Sequence, residues 1–343
     1  MEGTGLDKLH ITVVGGGIIG LWQAFTLASR GHDVCLREAA DEIYSGAASR
    51  VAGAMLAPYC ETEAAEPIIQ DLGLRGLELW RQFDPSLQVR GTLVLAAHRD
   101  TAELNRFARM TAGHRAVDRS AIGQLEPSLP ESFQSGLYFP DEAHMAPRAA
   151  IKRLIGALRS LNVEVRFSSP VPEPLWLAAP AGGLVIDCRG LGAQSAHIGL
   201  RGVRGEMLVI NTPGLDLSHP IRLLHPRFPI YIVPWGDSTY MIGATMMESE
   251  KLAAVTVRSA LELMSSAATV HPGFLDSRLV ELSIGVRPAF DDNIPKIGIH
   301  GKCIRVNGAY RHGFLLAPVL AEIVADHLEH ERAIPHELAQ RQA

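Results

Sequence analysis

Three glycines, Gly15, Gly17 and Gly20, stand between an apolar run, Leu9 to Val14, and a helical one, Ile18 to Arg30. A strand turning into a helix through this Gly-x-Gly-x-x-Gly spacing is built to hold a dinucleotide. Gly15 makes the tight turn, Gly17 lets the pyrophosphate approach, and Gly20 lets helix and strand pack. Free N–H groups and the positive end of the helix dipole then supply the anion site. Eighteen residues past Gly20, at the end of the expected strand Asp33–Glu38, Glu38 can accept hydrogen bonds from ribose hydroxyls. Metal and disulfide chemistry are not expected. Cys35, Cys60, Cys188 and Cys303 are scattered without a CxxC pair, and the fourteen histidines include no HExxH. The pair His327 and His330 reads as solvated helix surface.

The elements that must position these groups follow from composition and periodicity. The chain has 343 residues, 47% hydrophobic and 20% charged, with a net charge of −5. At roughly 150 residues per domain that suggests two domains. There is no basic stripe for nucleic acid and no apolar run near the ~18–20 residues of a membrane span. A polar first ten residues without a long apolar run reads as no export signal, and the lone thiols as a reducing cytoplasm. Helical patterns cover Pro67–Phe83, Asp100–Met110, Pro147–Leu161, Val257–Ala268 and Gly313–Glu329. Strand-like runs cover Thr92–Ala96, Val163–Phe167, Leu184–Asp187, Glu206–Ile210, Ile230–Pro234, Tyr240–Ala244 and Ile304–Asn307. Trp235 to Thr239 reads as a hairpin turn, and Ala40 to Cys60 as a long, functional connection. The expected fold class is α/β. A Rossmann-like cofactor domain (9–85, 147–200 and 285–330) is interleaved with an α+β substrate domain (86–146 and 201–284) on a mainly antiparallel sheet.

The start Val13 to Gly20, the Ser49–Pro58 segment with its alanines, and the tail motifs Gly285-Val286-Arg287-Pro288 and Asn307 to Pro318 together resemble the D-amino acid oxidase superfamily of flavoproteins. Within it the chain is most similar to the glycine oxidase branch of thiamin biosynthesis, from Ile11 to about Leu328. The order Ala52-Gly53-Ala54 departs from the family's flavin loop, and Arg50 adds a charge there. The resemblance implies non-covalent FAD. A physical argument agrees: the glycine-rich Asn307–Gly313 segment opens a second helix, whose positive end suits the anionic N1–O2 edge of reduced flavin.

The resemblance also implies the site. Cofactor contacts fall on Gly15, Gly16, Gly17, Ile18, Ile19, Gly20, Glu38, Ala39, Ala48, Ser49, Gly53, Ala54, Met55 and Val171, and on Tyr310, Arg311, His312, Gly313, Phe314, Leu315 and Leu316. Arg287 takes the family's carboxylate-binding place, suited by a guanidinium fork that lysine lacks. Arg311 is a second substrate-side arginine, Tyr231 stands over the substrate, and Met246 lines a small pocket. No residue stands out as an obligatory base; His144, His225 and His312 read as core or surface histidines.

The expected activity is oxidative deamination of glycine or a small D-amino or N-methyl amino acid, by hydride transfer from the α-carbon to flavin N5. The products are an imine, then 2-oxo acid and ammonia, with hydrogen peroxide formed from molecular oxygen. The imine would serve thiazole synthesis. Two alternatives are a D-amino acid or sarcosine dehydrogenase feeding a quinone, and a flavin-binding protein that modifies a partner. A homo-oligomer is left open by the sequence.

Overall fold

His10–Val14 and Asp33–Arg37 are adjacent parallel strands joined by the helix Ile18–Ser29, so the βα turn and the second strand fall where the glycines and Glu38 require. The computed structural model describes residues 8–42, 46–85, 87–196 and 199–340. Residues 1–7, on which the export reading rests, and residues 43–45 of the expected Ala40–Cys60 connection lie outside them.

The chain divides into two compact units. One runs up to Arg50 and includes Arg148–Val203 and everything from Arg287; the other is Val51–Pro147 with Arg204–Val286. Residues 51–85, read from sequence as part of the cofactor domain, belong to the second unit. The reason is pairing: Met55–Leu56 joins Ala143–His144 in an antiparallel ladder, and Cys60 packs among Val94, Phe107 and Phe139.

The first unit holds a six-stranded sheet. Its order is Lys296–His300, Cys303–Asn307, Leu184–Asp187, His10–Val14, Asp33–Arg37, Glu164–Arg166. Only the first pair is antiparallel. The central strands are covered on both faces, which is why they read as unbroken apolar runs. The helix Ile18–Ser29 lies against the last helix, Gly313–His330. Just past the end of the first, Arg30 donates to Asp326 (2.9 Å), Glu329 (2.8 Å) and Glu322 of the last helix. Burial opposes its charge, but three carboxylates outweigh that and push the guanidinium's pKa up. Charge at the negative end of the first helix is also favourable.

The second unit is built on a mainly antiparallel sheet. Its order is Met247–Glu248, Arg201–Asn211, Thr239–Gly243, Ile230–Gly236, Ile221–Leu224, Thr92–Ala96, Ser135–Phe139, Arg115–Asp118. Arg278–Ala289 also pairs with Arg201–Asn211. The single parallel neighbour pair along this order is Ile221–Leu224 with Thr92–Ala96. The expected hairpin turn is two residues, Asp237 and Ser238, both at positive φ (51° and 54°), the geometry whose twist matches the flanking strands. Strand alternation splits the core. Ile230 and Ile232 face one cluster with Leu263 of the helix Val257–Val270, and Tyr231 and Val233 face another with Met207 and Met241. The helix Arg119–Leu125 was not anticipated, although Asp118 caps it by accepting from Ala121 N–H (2.9 Å). Among the described residues no helix is long and apolar enough to cross a membrane.

Candidate active site

The glycine turn is set by backbone crowding. Gly15 has φ +104°, and a Cβ there would meet the carbonyl oxygen of Cys188 at 2.5 Å. A Cβ on Gly20 would lie 1.9 Å from the Gly15 carbonyl oxygen, so only glycine lets the helix sit this close to the strand. Gly17 differs. A Cβ there would have nothing nearer than Ala47 Cβ and Ser49 Oγ at 3.8 Å, which leaves the helix start open for a ligand. Ile18 N–H donates to Ser49 Oγ (3.3 Å), so the Ala48–Val51 turn adjoins that start, with Ile18 buried and Ile19 half-buried.

Glu38 faces the same turn. Its carboxylate accepts from Gly16 N–H and from Ala40 N–H (2.9 Å), with Ala39 exposed beside it. The Val171 side chain packs into the core with Val14, Val185 and Cys303, so any cofactor contact it makes falls to its main chain.

The second helix start lies in the same unit. Asn307 Nδ2–H donates to Gly190 O (2.8 Å) and its Oδ1 accepts from Gly308 N–H (2.8 Å), pinning the loop ahead of Gly313. Gly308 has φ +80°, and a Cβ there would overlap the Phe290 ring at 2.2 Å. A Cβ on Gly313 would be 3.5 Å from Ile18, so the two helix starts are neighbours. Tyr310 sits at φ 48° and donates its N–H to Pro288 O (2.9 Å), while Ala289 bridges to Ala309. The strand end that carries Arg287 is thereby bonded to the loop that carries Arg311. His312 is buried and precedes the helix without a side-chain capping bond; Phe314, Leu315 and Leu316 are buried in its first turn.

The remaining expected residues lie in the second unit. The Tyr231 ring rests over two glycines: a Cβ on Gly53 would meet it at 3.0 Å, and one on Gly243 at 3.3 Å. Met55 packs in the same cluster. Ala54, at φ 51°, accepts from Met145 N–H (3.1 Å). Met246 is 53% exposed and lines a cavity of about 640 Å³ with Arg227, Ile230, Arg258 and Leu263. Tyr231 is not among the residues that line that cavity, although its neighbour Ile230 is.

One acid escaped the sequence reading. Glu142 is fully buried, and its Oε1 accepts from Tyr59 N–H (3.0 Å) and Cys60 N–H (2.7 Å), anchoring the end of the segment that holds Gly53 and Met55. An isolated acid after Pro140-Asp141 carries no periodic signal that would reveal it. Burial pushes its pKa up to about 7 from a usual 4.5. A carboxyl protonated more readily when folded stabilises fully below its unfolded pKa, and loses that contribution as pH rises through the folded value. Stability should therefore fall from about pH 4.5 to 7 by up to about 3 kcal/mol from this group. Thermal melts across that window should show the slope in the parent and a flatter curve in Glu142→Gln.

Two of the three histidines have structural settings. His144 is buried and held neutral, with its pKa pushed down to about 4 by desolvation. His225 Nδ1 accepts from Arg227 N–H (3.1 Å) and Phe228 N–H (3.0 Å), closing a turn.

The family described as FAD dependent oxidoreductase (DAO) matches residues 10–327. The chain belongs to it. A putative thiamine biosynthesis oxidoreductase, ThiO, of Rhizobium etli is 43% identical over 96% of this chain and 100% of its own length. A glycine oxidase of Bacillus subtilis is 23% identical over 92% of this chain and 91% of that one. The solved glycine oxidase of Geobacillus kaustophilus superposes with a TM-score of 0.79 at 23% identity, covering 95% and 96% of the two chains.

For an FAD-dependent oxidoreductase the residues fit. The open space over Gly17, the Glu38 carboxylate on the turn and the two adjacent helix starts suit a diphosphate, a ribose and an anionic ring edge. Cys303 is buried with its pKa pushed up to about 11 by desolvation, which leaves no thiolate for a covalent flavin link. Glu38→Ala should weaken FAD retention by about 1.5–3 kcal/mol, the scale of hydrogen bonds to a charged group. Flavin fluorescence of the supernatant after heat or acid precipitation measures this, and in the parent all flavin should leave the polypeptide.

Proposed function

We propose that this oxidoreductase oxidises glycine or a small D-amino or N-methyl amino acid. The Cα–N bond becomes an imine, which water converts to 2-oxo acid and ammonia or the N-alkyl amine. Dioxygen takes the two electrons and two protons and leaves as hydrogen peroxide. The observation that carries this reading is the Tyr310 N–H to Pro288 O bond (2.9 Å), which ties the Arg287 strand to the second helix start of the cofactor cradle. FAD, when bound, supplies the acceptor for the hydride leaving the α-carbon.

The protein's own part is grip and orientation. Arg287 pairs with the substrate carboxylate through its planar fork. Arg311 adds a second positive group, and Tyr231 donates its hydroxyl while its ring excludes water. Met246 limits the substituent. The name of the Rhizobium etli relative supports an imine destined for thiamine biosynthesis, and that of the Bacillus subtilis relative supports glycine as substrate. Four unpaired thiols suit a reducing cytoplasm.

Anaerobic mixing with glycine, sarcosine and D-amino acids tests this by the bleaching of flavin absorption. Bleaching by glycine followed by peroxide on admitting air supports it. Reoxidation by a quinone but not by oxygen would make the enzyme a dehydrogenase. A yellow protein bleached by none of them would sink the amine-oxidation reading.

A further inference from the structure

A buried ion pair in the second unit has its bonds aimed at one stretch of surface chain. Arg204 and Glu206 are 5% and 0% exposed on the strand Arg201–Asn211. Arg204 Nε donates to Glu206 Oε1 (2.9 Å), and its Nη2 donates to the same oxygen. The remaining donors reach main-chain carbonyls: Lys251 (2.5 Å), Ala253 (3.0 Å) and Ala254 (2.8 Å). Glu206 answers from its other end. Oε2 accepts from Thr256 N–H (3.4 Å), the N-cap residue of the helix Val257–Val270. Its main chain exchanges bonds with Thr245, N–H to Oγ1 (2.9 Å) and O from Thr245 N–H (3.1 Å).

Residues 250–256 form neither helix nor strand, and Leu252 is 75% exposed. Little apolar burial holds this strap, and one guanidinium bonds three of its carbonyls. Both ends of what the pair grips border the 640 Å³ cavity: Thr245 and Met246 on one side, Thr256 and Arg258 on another. A surface charge pair would contribute little. This one is desolvated and fully bonded, and breaking one partner of such a pair is strongly destabilising.

We propose that Arg204 and Glu206 are a positioning pair that sets Met246 and the 250–256 strap, and through them the size of substrate substituent the enzyme accepts. The specificity half of this rests on the amine-oxidation reading; the positioning half does not. Neither residue touches substrate. They act through Thr245, Met246 and the strap. Lysine at 204 would present a point charge, unable to serve three carbonyls and a carboxylate together.

The test uses FAD-loaded enzyme, Glu206→Gln, and the double variant Arg204→Met/Glu206→Met. The double variant removes both charges at once and so avoids a lone buried ion. Tryptic cleavage after Lys251 should be about tenfold faster in the double variant, since proteolysis tracks the population of the opened segment. Discrimination between glycine and a bulkier N-substituted glycine should relax by about tenfold, carried by KM while kcat for glycine stays within about twofold. Unchanged cleavage after Lys251 would overturn the positioning role. Faster cleavage with an unchanged substrate ratio would overturn the link to specificity. If the parent bleaches with no amino acid, the proposed activity fails, while the cleavage rates still decide whether the pair holds the strap.

Discussion

Arg287→Ala should lower glycine affinity by about 100-fold or more while flavin content stays near that of the parent, the result expected for loss of a desolvated ionic partner. The carboxylate is the one group common to every candidate substrate, and a guanidinium meets it with two parallel bonds. Without that clamp the substrate also rotates, so the α C–H points at its acceptor less often and the reduction rate falls too. Arg287→Lys keeps the charge without the fork and should restore only part of the loss. Cofactor binding should be spared, because the cradle is set by backbone contacts at Gly15, Gly20 and Gly308 rather than by this side chain. Stopped-flow reduction over a range of glycine concentrations separates affinity from rate. A variant reduced as readily as the parent would make Arg287 structural.

Gly20→Ala should cost about 3 kcal/mol or more, at the upper end of overpacking effects, because the new Cβ overlaps backbone and not a side chain that can turn away. The overlap is with the Gly15 carbonyl oxygen at 1.9 Å, and Cys188 Cβ at 3.3 Å blocks retreat. The first strand and first helix cannot both keep their places, so soluble, yellow protein should be lost. Two companions sharpen the result. Gly17→Ala meets no protein atom closer than 3.8 Å, so it should fold normally yet retain less FAD. Gly156→Ala, on the helix Pro147–Ser160 with nothing within 4 Å of its Cβ, should melt at or slightly above the parent temperature. Equal melting temperatures and flavin content for Gly20→Ala and Gly156→Ala would contradict the packing argument.

What the sequence by itself determined was local. The strand, turn and helix around Gly15–Gly20 were legible because each glycine answers a backbone demand that no other residue meets, and Glu38 followed at a fixed distance along the next strand. Helices such as Pro67–Phe83 and strands such as Thr92–Ala96 and Leu184–Asp187 were read to the residue, since apolar periodicity and flanking breakers are short-range signals. The tail motif around Arg287 and Tyr310–Gly313 was read by resemblance, with no physical signal in the spacing itself. Only the tertiary structure decided the rest. Residues 51–85 joined the second unit because Met55–Leu56 found its partner strand nearly ninety residues away at Ala143–His144, a pairing no local pattern encodes. Tyr231 comes to rest over Gly53 and Gly243 and Met246 beside Arg258 of the helix Val257–Val270, neighbours that no local pattern names. Glu142, Arg204 and Glu206 look in sequence like ordinary surface charges. Burial and the main-chain groups they bond give them their roles, and both arise only when distant segments pack together.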